Sequence, residues 1–408
     1  MTLEIRPITE DEIEQAELIT AYSFNNRERR DPTLMTQAVE RARKFYSRDW
    51  TLASFEDGEM TAFVRTIPFA IRINGRGLSF GAVGPVVSLP QHRRKGHVGA
   101  ILRRDLEVMR ERGQVLSGLH TPHPSLYRRY GWEIASVRHA IAFAPKDVEL
   151  MAQPGERGRT RMLKADDWAV TDRVYRAHSA ERNMALHRGE VWWREAIFGG
   201  GFSPEPADVA CWEDGAGEPQ GYAVYHQPNQ VDEYTPPFFV RELVALTPDA
   251  YLNLLLYLLR HDLPKEIVYY TRPDDPFVSL VADQRKLKIA VDYDLMLRIC
   301  DVPQALRQRP PAVERVAPFL LGISDSSAPW NEGTWRIETA DGAVTVEEAS
   351  GEADLSLSAT TLAPVFNGFL SPSGAALAGL ARARSDEALD AAEAFFATTH
   401  RPFCADGF

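Results

Sequence analysis

A basic, glycine-containing stretch follows a run of β-branched residues in the first quarter of the chain. Val86-Val87-Ser88 is typical of a strand, and Arg93-Arg94-Lys95-Gly96-His97-Val98-Gly99 leads into a helix whose apolar residues recur about every 3.6 positions. The first amides of a helix have no partners within it and lie at the positive end of its dipole. Glycine lets phosphate oxygens approach the backbone, and the cations add charge. The pattern is compatible with a pyrophosphate site, and taken alone it fits a solvated basic helix start equally well.

Two segments together resemble the GNAT superfamily of acetyltransferases. Arg93-Arg94-Lys95-Gly96-His97-Val98 matches its Arg/Gln-x-x-Gly-x-Gly/Ala loop, except that Val98 replaces the second small residue. The run from Leu119 to Trp132 is similar to its second signature, a Tyr on a short helix before a Gly-aromatic pair. The resemblance implies acetyl-CoA as co-substrate. Its cofactor contacts would be Val86, Val87, Ser88, Arg93, Arg94, Lys95, Gly96, His97, Val98, Gly99 and Ser125.

The same resemblance gives Tyr127 a catalytic role. In the superfamily this tyrosine donates a proton to the departing thiolate of coenzyme A, and a phenol with a pKa of about 10 is a suitable acid for that group. The alternative is that Tyr127 and Tyr130 only pack on a core helix. We expect function for Tyr127 and packing for Tyr130.

The whole chain resembles the Eis (enhanced intracellular survival) acetyltransferases. In the second half, Val244-Ala245-Leu246-Thr247-Pro248-Asp249-Ala250-Tyr251 stands where a phosphate loop would be, without Arg-x-x-Gly and with an anionic Asp249. The resemblance therefore implies one acetyl-CoA per chain. It also implies that the carboxylate of the terminal Phe408 enters the active site and helps to remove the proton of the attacking amine.

The expected fold is α/β plus α+β. Alternating strand and helix patterns predict two tandem α/β units of the same layout, residues 1–145 and 146–300. The resemblance implies that both are GNAT-type units and that the second lacks the CoA loop. Asn74-Gly75 and Asp341-Gly342 predict hairpins. Residues 301–408 predict an α+β domain, and the resemblance makes it similar to sterol carrier proteins and assigns it the delivery of Phe408.

Composition narrows the class of protein. The 408 residues carry a net charge of −11, which disfavours nucleic-acid binding. The N-terminus shows no secretion signal, and the apolar runs are too short to cross a bilayer, so we expect a cytoplasmic protein without a membrane partner.

Cys211, Cys300 and Cys404 lie far apart and predict neither a disulfide framework nor a zinc site. The histidines His92, His97, His120 and His123 are interpreted as polar lining, with no metal.

The sequence leaves open the identity of the acceptor amine and two alternative functions of the protein. Eis homologues can carry an acidic residue after Ser-Phe, whereas this chain has Ser23-Phe24-Asn25-Asn26, so aminoglycosides, polyamines and lysine-like amines all remain candidates. One alternative is an acyltransferase for longer acyl-CoA, because N-myristoyltransferases also pair two GNAT units and use a C-terminal carboxylate. Another is a carrier or scaffold protein with a vestigial acetyltransferase unit. Family analogy also favours a homo-oligomer, in Eis relatives a hexamer.

Overall fold

The computed structural model describes residues 3–156, 158–201, 206–227 and 238–408. It divides into two compact units. The first unit contains the residues up to Ala135 together with Leu295–Thr398 and Phe408, and the second contains Ser136–Asp294 and Thr399–Gly407. Across the described residues, no helix is long and apolar enough to span a membrane.

The strands form three sheets and are numbered along the chain. The first ten are β1 Leu3–Pro7, β2 Thr51–Glu56, β3 Glu59–Ile73, β4 Arg76–Ser88, β5 Leu116–His120, β6 Glu133–Ile134, β7 Val137–Phe143, β8 Arg159–Leu163, β9 Asp208–Glu213 and β10 Pro219–His226. The others are β11 Phe238–Ala245, β12 Ile267–Thr271, β13 Lys288–Tyr293, β14 Leu295–Ile299, β15 Val316–Ser324, β16 Gly333–Ala340, β17 Ala343–Ala349, β18 Leu355–Ser358 and β19 Ala381–Ala383.

Helices alternate with these strands. They are α1 Ile13–Ser23, α2 Pro32–Phe45, α3 His97–Glu111, α4 Pro124–Arg128, α5 Trp168–Ser179, α6 Glu190–Trp192, α7 Pro248–Leu259, α8 Phe277–Leu280, α9 Val302–Gln308, α10 Ala359–Phe366, α11 Pro372–Leu377 and α12 Asp386–Phe396. The short α6 continues as a π-helix over Trp193–Phe198.

The first sheet has the order β1-β2-β3-β4-β5-β14-β6. The β3–β4 hairpin turns at Asn74 and Gly75, both with positive φ, which confirms the hairpin that this dipeptide predicts. The helix α3 joins the parallel strands β4 and β5 and buries Ile101, Leu102, Leu106 and Met109 against the sheet. Because these apolar residues recur about every 3.6 positions, they share the face of α3 that packs on the sheet. The helix forms the crossover between β4 and β5, and its N-terminus lies just beyond the end of β4.

The second sheet, β13-β7-β12-β11-β10-β9-β8, repeats the order of the first with one strand exchanged. Strand β14 lies between β5 and β6 in the first sheet, whereas β7 lies between β13 and β12 in the second. The chain divides at Asp294 into the edge strand β13 and the inner strand β14. Their burial follows this difference, since β13 is largely exposed and every residue of β14 is buried. The domain limits 1–145, 146–300 and 301–408 stay a prediction. Strand β7, which lies within residues 1–145, belongs to the second sheet, and strand β14, which lies within residues 146–300, belongs to the first sheet.

The third sheet, β17-β16-β15-β18-β19, belongs to the first unit. Its β16–β17 hairpin turns at Asp341 and Gly342, as that dipeptide predicts. A fully buried Arg309 donates to the carbonyl oxygens of Phe366 and Phe396 at 2.9 and 2.8 Å, and so satisfies the carboxyl ends of α10 and α12. The Arg309 guanidinium thus takes the place of the water that usually donates to the last carbonyl oxygens of a helix. Burial lowers the pKa of Arg309 to about 9.

Candidate active site

A gap opens in the first sheet where β4 separates from β5. Their parallel pairing ends at Ala82 and Gly118, although β4 continues to Ser88. The register of β3 and β4 shifts at the same level, where Thr66 faces Val83 and Val64 faces Val86. This bulge contains the cis Gly84–Pro85 peptide, and β4 is not paired with β5 beyond it. Val86, Val87 and Ser88 therefore belong to the part of β4 that is not paired with β5, in the middle of the strand order.

The loop from β4 to α3 leaves the first amides of the helix without side-chain caps. After a 3₁₀ turn over Pro90–His92, Arg94 and Gly96 both adopt positive φ, 63° and 90°. Gly96 is the N-cap residue, and Ala100 N donates to its carbonyl oxygen at 3.0 Å. The amides of His97, Val98 and Gly99 precede that first helical bond and have no acceptor within the helix. The helix start therefore has the donors that an anionic oxygen needs.

The three cations of this loop have different partners. Arg93 Nε donates to the carbonyl oxygen of Ser88 at 3.2 Å and so ties the loop to the end of β4. Lys95 Nζ lies 3.2 Å from a carboxylate oxygen of Glu56. Arg94 is exposed and makes no ion pair within the described part of the chain. Arg94 is thus the cation of this loop most available to a ligand, and Lys95 must leave Glu56 to reach one.

Gly99 has a packing reason for lacking a side chain. A Cβ at this position would lie 2.1 Å from the hydroxyl oxygen of Tyr130 and 3.0 Å from its Cζ. Val98, the next residue toward the N-terminus, packs against the core under the sheet, together with Val86. The tyrosine that the sequence assigns to packing therefore lies directly against the start of α3.

Tyr127 lies on α4, a single helical turn that begins at Pro124. Its side chain is 7% exposed, its ring packs edge-on to Trp132 with centroids 6.4 Å apart, and burial raises its pKa to about 12. Ser125, on the same turn, is exposed. Tyr127 is therefore a protonated phenol at neutral pH, held by an apolar surrounding.

The C-terminal residue Phe408 contacts the same part of the first sheet. A Cβ on Gly84 would lie 3.0 Å from the carboxyl carbon and from a carboxyl oxygen of Phe408. The Phe408 ring packs edge-on to Phe80 and His120, with centroids 5.8 and 4.8 Å apart. The backbone C and O atoms of Phe408 thus lie against β4 at the bulge, two residues before Val86.

The second unit has a comparable separation of strands but a different helix start. The parallel pairing of β11 with β12 ends at Val240 and Tyr269. The hydroxyl of Thr247 accepts from Ala250 N and caps α7, and Asp249 accepts from the amides of Gly155 and Glu156. Only two residues separate β11 from α7, so this connection has no basic loop.

Sequence reasoning missed residues whose roles depend on distant parts of the chain. Gly84 carries no local signal, since its small size matters only for the approach of Phe408. Arg298, on β14, occupies the space beside Gly131, where a Cβ would lie 2.8 Å from its Cζ. Asp105, on α3, is fully buried, accepts from the Thr66 hydroxyl at 2.8 Å, and has its pKa raised by burial to about 7.

Family models match three consecutive parts of the chain. Residues 4–135 and 184–299 each match an acetyltransferase (GNAT) domain, and residues 302–405 match a sterol carrier protein domain. An N-acetyltransferase of Streptomyces griseus is 29% identical over the whole of both chains. N-acetyltransferase Eis of Mycobacterium tuberculosis is 26% identical, with 82% of this chain and 80% of the relative covered. The crystal structure of Eis1 from Mycobacterium abscessus has a TM-score of 0.81 at 24% identity, covering 99% of this chain and 100% of the other.

These matches agree with the two sheets of equivalent strand order and with the third, separate sheet. The chain is an N-acetyltransferase with two GNAT domains and a sterol carrier protein domain. Within that class it is an Eis-like member of the GNAT superfamily.

Proposed function

We propose that the protein transfers the acetyl group of acetyl-CoA directly to an amine, within a ternary complex on the first unit. The observation that carries the proposal is the position of the Phe408 carboxyl group against Gly84, at the bulge where β4 leaves β5. A carboxylate there can accept a proton beside the gap in which the thioester would lie. The amine would be an aminoglycoside, a polyamine or a lysine-like group.

Acetyl-CoA fits the features of this site. The uncapped amides of His97, Val98 and Gly99, with Arg94 and Lys95, would hold the pyrophosphate, and Arg93 would keep the loop on Ser88. The gap beyond Ala82 and Gly118 would admit the pantetheine arm. Pro85 has no N–H, so the amides that polarise the thioester carbonyl would come from Val86 or later residues.

The reaction needs one proton removed and one delivered. The neutral amine attacks the thioester carbon, and its nitrogen, which becomes positively charged as the new bond forms, loses one proton to the Phe408 carboxylate directly or through water. The carbon–sulfur bond then breaks, and the Tyr127 phenol protonates the departing thiolate. Coenzyme A and the N-acetylated amine are the products.

The test is thiol release from acetyl-CoA with a panel of amines from the three classes. Three variants are compared with the wild type: deletion of Phe408, one glycine appended after Phe408, and Phe408→Leu. Deletion and extension move the carboxylate away from Gly84, whereas Phe408→Leu keeps it at the same place in the chain. We expect turnover to fall by about 100-fold in the first two variants and by less than about 10-fold in Phe408→Leu.

Acetyl-CoA affinity, measured for all four proteins by calorimetry, is the control, and it should stay within about three-fold. Equal turnover in the wild type and the extended variant would contradict the role of the carboxylate. Failure of the wild type to bind acetyl-CoA would contradict the proposed function as a whole and favour a carrier or scaffold protein. Turnover with a longer acyl-CoA but not with acetyl-CoA would mean that the acyl donor is the longer acyl-CoA, and the rest of the proposal would stand.

A further inference from the structure

Two buried histidines and a glutamate meet beside the start of α3. Glu56 is the last residue of β2, His92 ends the 3₁₀ turn after β4, and His97 is the first residue of α3. One carboxylate oxygen and one nitrogen from each imidazole lie within 4.8 Å of one another. Three elements that are separate in sequence thus bring three metal-binding side chains to one place.

The imidazoles of this cluster lack the partners that buried polar groups normally have. His92 is 8% exposed and His97 is 6% exposed. Both ring nitrogens of His97 and Nδ1 of His92 make no hydrogen bond to any described residue. An unsatisfied polar group inside a protein is unfavourable and calls for a ligand or another physical reason.

A second carboxylate orients one of the imidazoles. His92 Nε2 lies 3.5 Å from Glu59 Oε1, while His92 Nδ1 lies 3.9 Å from Glu56 Oε2. If Nε2 carries the proton and donates to Glu59, Nδ1 is left with its lone pair on the side of Glu56 and His97. A carboxylate that accepts from the far nitrogen of a metal-binding histidine is the usual support of such ligands.

We propose that Glu56, His92 and His97 bind one divalent transition-metal ion of the zinc type. Two imidazole nitrogens and one carboxylate oxygen suit Zn²⁺ and its neighbours, whereas Mg²⁺ and Ca²⁺ prefer oxygen ligands. Water would complete the coordination. The ion would replace the Lys95 ammonium, which now lies 3.2 Å from Glu56.

The position of the ion gives it a structural role. His92 and His97 stand on either side of residues 93–96, so an ion bound to both would hold the two ends of this loop against the end of β2. The acetyl-transfer chemistry proposed above does not use the ion. The site can therefore be tested by metal binding alone, whether or not the proposed function holds.

The experiment uses the full chain without an affinity tag, freed of metal by a chelator that is then dialysed away. Co²⁺ is titrated by its visible absorption, and Zn²⁺ is titrated by displacement of Co²⁺ and by calorimetry. We expect one ion per chain. His92→Gln, His97→Gln and Glu56→Gln should each weaken binding by about 100-fold or more, and Glu59→Gln by about 10-fold, because Glu59 only orients His92.

His123→Gln is the matched control, because His123 neighbours the others in sequence but is not part of the cluster; its metal affinity should equal that of the wild type. Thermal unfolding provides a second measurement. Zn²⁺ should raise the unfolding midpoint of the wild type and of His123→Gln but not of His97→Gln, since an ion that binds only the folded state stabilises it. Absence of binding at micromolar Zn²⁺, or binding unchanged by His97→Gln and Glu56→Gln, would overturn the proposal.

Discussion

At the scale of single residues, the surroundings of Tyr127 determine its protonation. The phenol lies in the apolar core beside Trp132, and desolvation raises its pKa to about 12 because water no longer stabilises the phenolate. A group with this pKa keeps its proton across the neutral range. The phenol therefore carries the proton that the proposed role requires, while its raised pKa makes it a weaker acid than a free phenol.

Replacing Tyr127 with Phe should lower kcat by about 100-fold while acetyl-CoA affinity changes by less than about two-fold, because only the hydroxyl is lost. Tyr293→Phe, on the exposed strand β13, is the matched control for the substitution itself. Steady-state kinetics and calorimetry measure the two quantities. Unchanged kcat in Tyr127→Phe would exclude the phenol as the acid.

Asp105 provides a pH-dependent contribution to stability. Burial raises the pKa of its carboxyl from 3.8 to about 7. Between these two values the folded chain keeps a proton that the unfolded chain releases, so the free energy of unfolding falls as pH rises. Below about pH 4 the carboxyl is protonated in both states and no difference remains.

Asp105→Asn should therefore become more stable than the wild type as pH rises from about 4 to about 7. The gain has an upper limit of about 4 kcal/mol, since a shift of one pKa unit corresponds to about 1.4 kcal/mol. Urea unfolding at several pH values measures it. A difference between the two proteins that does not change with pH would mean that the Asp105 pKa is not raised.

At the scale of elements, the contact between Gly99 and Tyr130 sets the position of the N-terminus of α3. The Tyr130 hydroxyl occupies the place of a side chain at position 99. A larger residue there must push Tyr130 or the helix start outward. The amides that face the proposed pyrophosphate site would move with the helix.

Gly99→Ala should weaken acetyl-CoA binding by about 10-fold, which corresponds to about 1.4 kcal/mol. The double variant with Tyr130→Ala removes the clash and should recover most of the affinity, if the cause is steric. Calorimetry on the wild type, both single variants and the double variant forms a complete cycle. Equal losses in Gly99→Ala with and without Tyr130 would point to a direct need for glycine at the phosphate.

At the scale of the whole molecule, the first unit depends on a buried ion pair between distant segments. Arg298 on β14 is fully buried and donates from Nη2 to both carboxylate oxygens of Asp325, at 2.8 and 2.6 Å. Asn331 also donates to Asp325, at 2.9 Å. The residue before Trp132, Gly131, lies against the same guanidinium, so the Tyr127 segment is linked to the part of the chain that matches a sterol carrier protein domain.

Arg298→Met should destabilise the first unit by about 3–5 kcal/mol, because it leaves the Asp325 carboxylate buried without its cation. Arg298→Met combined with Asp325→Asn should recover part of this loss. Arg104→Met, which breaks the exposed pairs with Glu107 and Glu111, is the control and should change stability by less than about 1 kcal/mol. Chemical denaturation measures all three, and a loss in Arg298→Met no larger than in Arg104→Met would show that the buried pair has little effect.

Local patterns predict much of the fold and part of the candidate site. Asn74-Gly75 and Asp341-Gly342 specify hairpins because few other dipeptides accept positive φ at both positions, and the apolar spacing in α3 specifies which face is buried. The loop before α3 is also recognisable, since uncapped amides, glycine and cations lie together in sequence. These features depend on residues that are only a few positions apart, so the local sequence specifies them independently of long-range contacts.

Other features were decided only by the tertiary structure. The exchange of β7 and β14 between sheets depends on long-range pairing, which no local periodicity encodes. The contact of Phe408 with Gly84, the burial of Asp105 and the meeting of Glu56 with His92 and His97 join residues far apart in the chain. Their chemistry depends on desolvation and on distances between side chains, and both quantities exist only once the chain has folded.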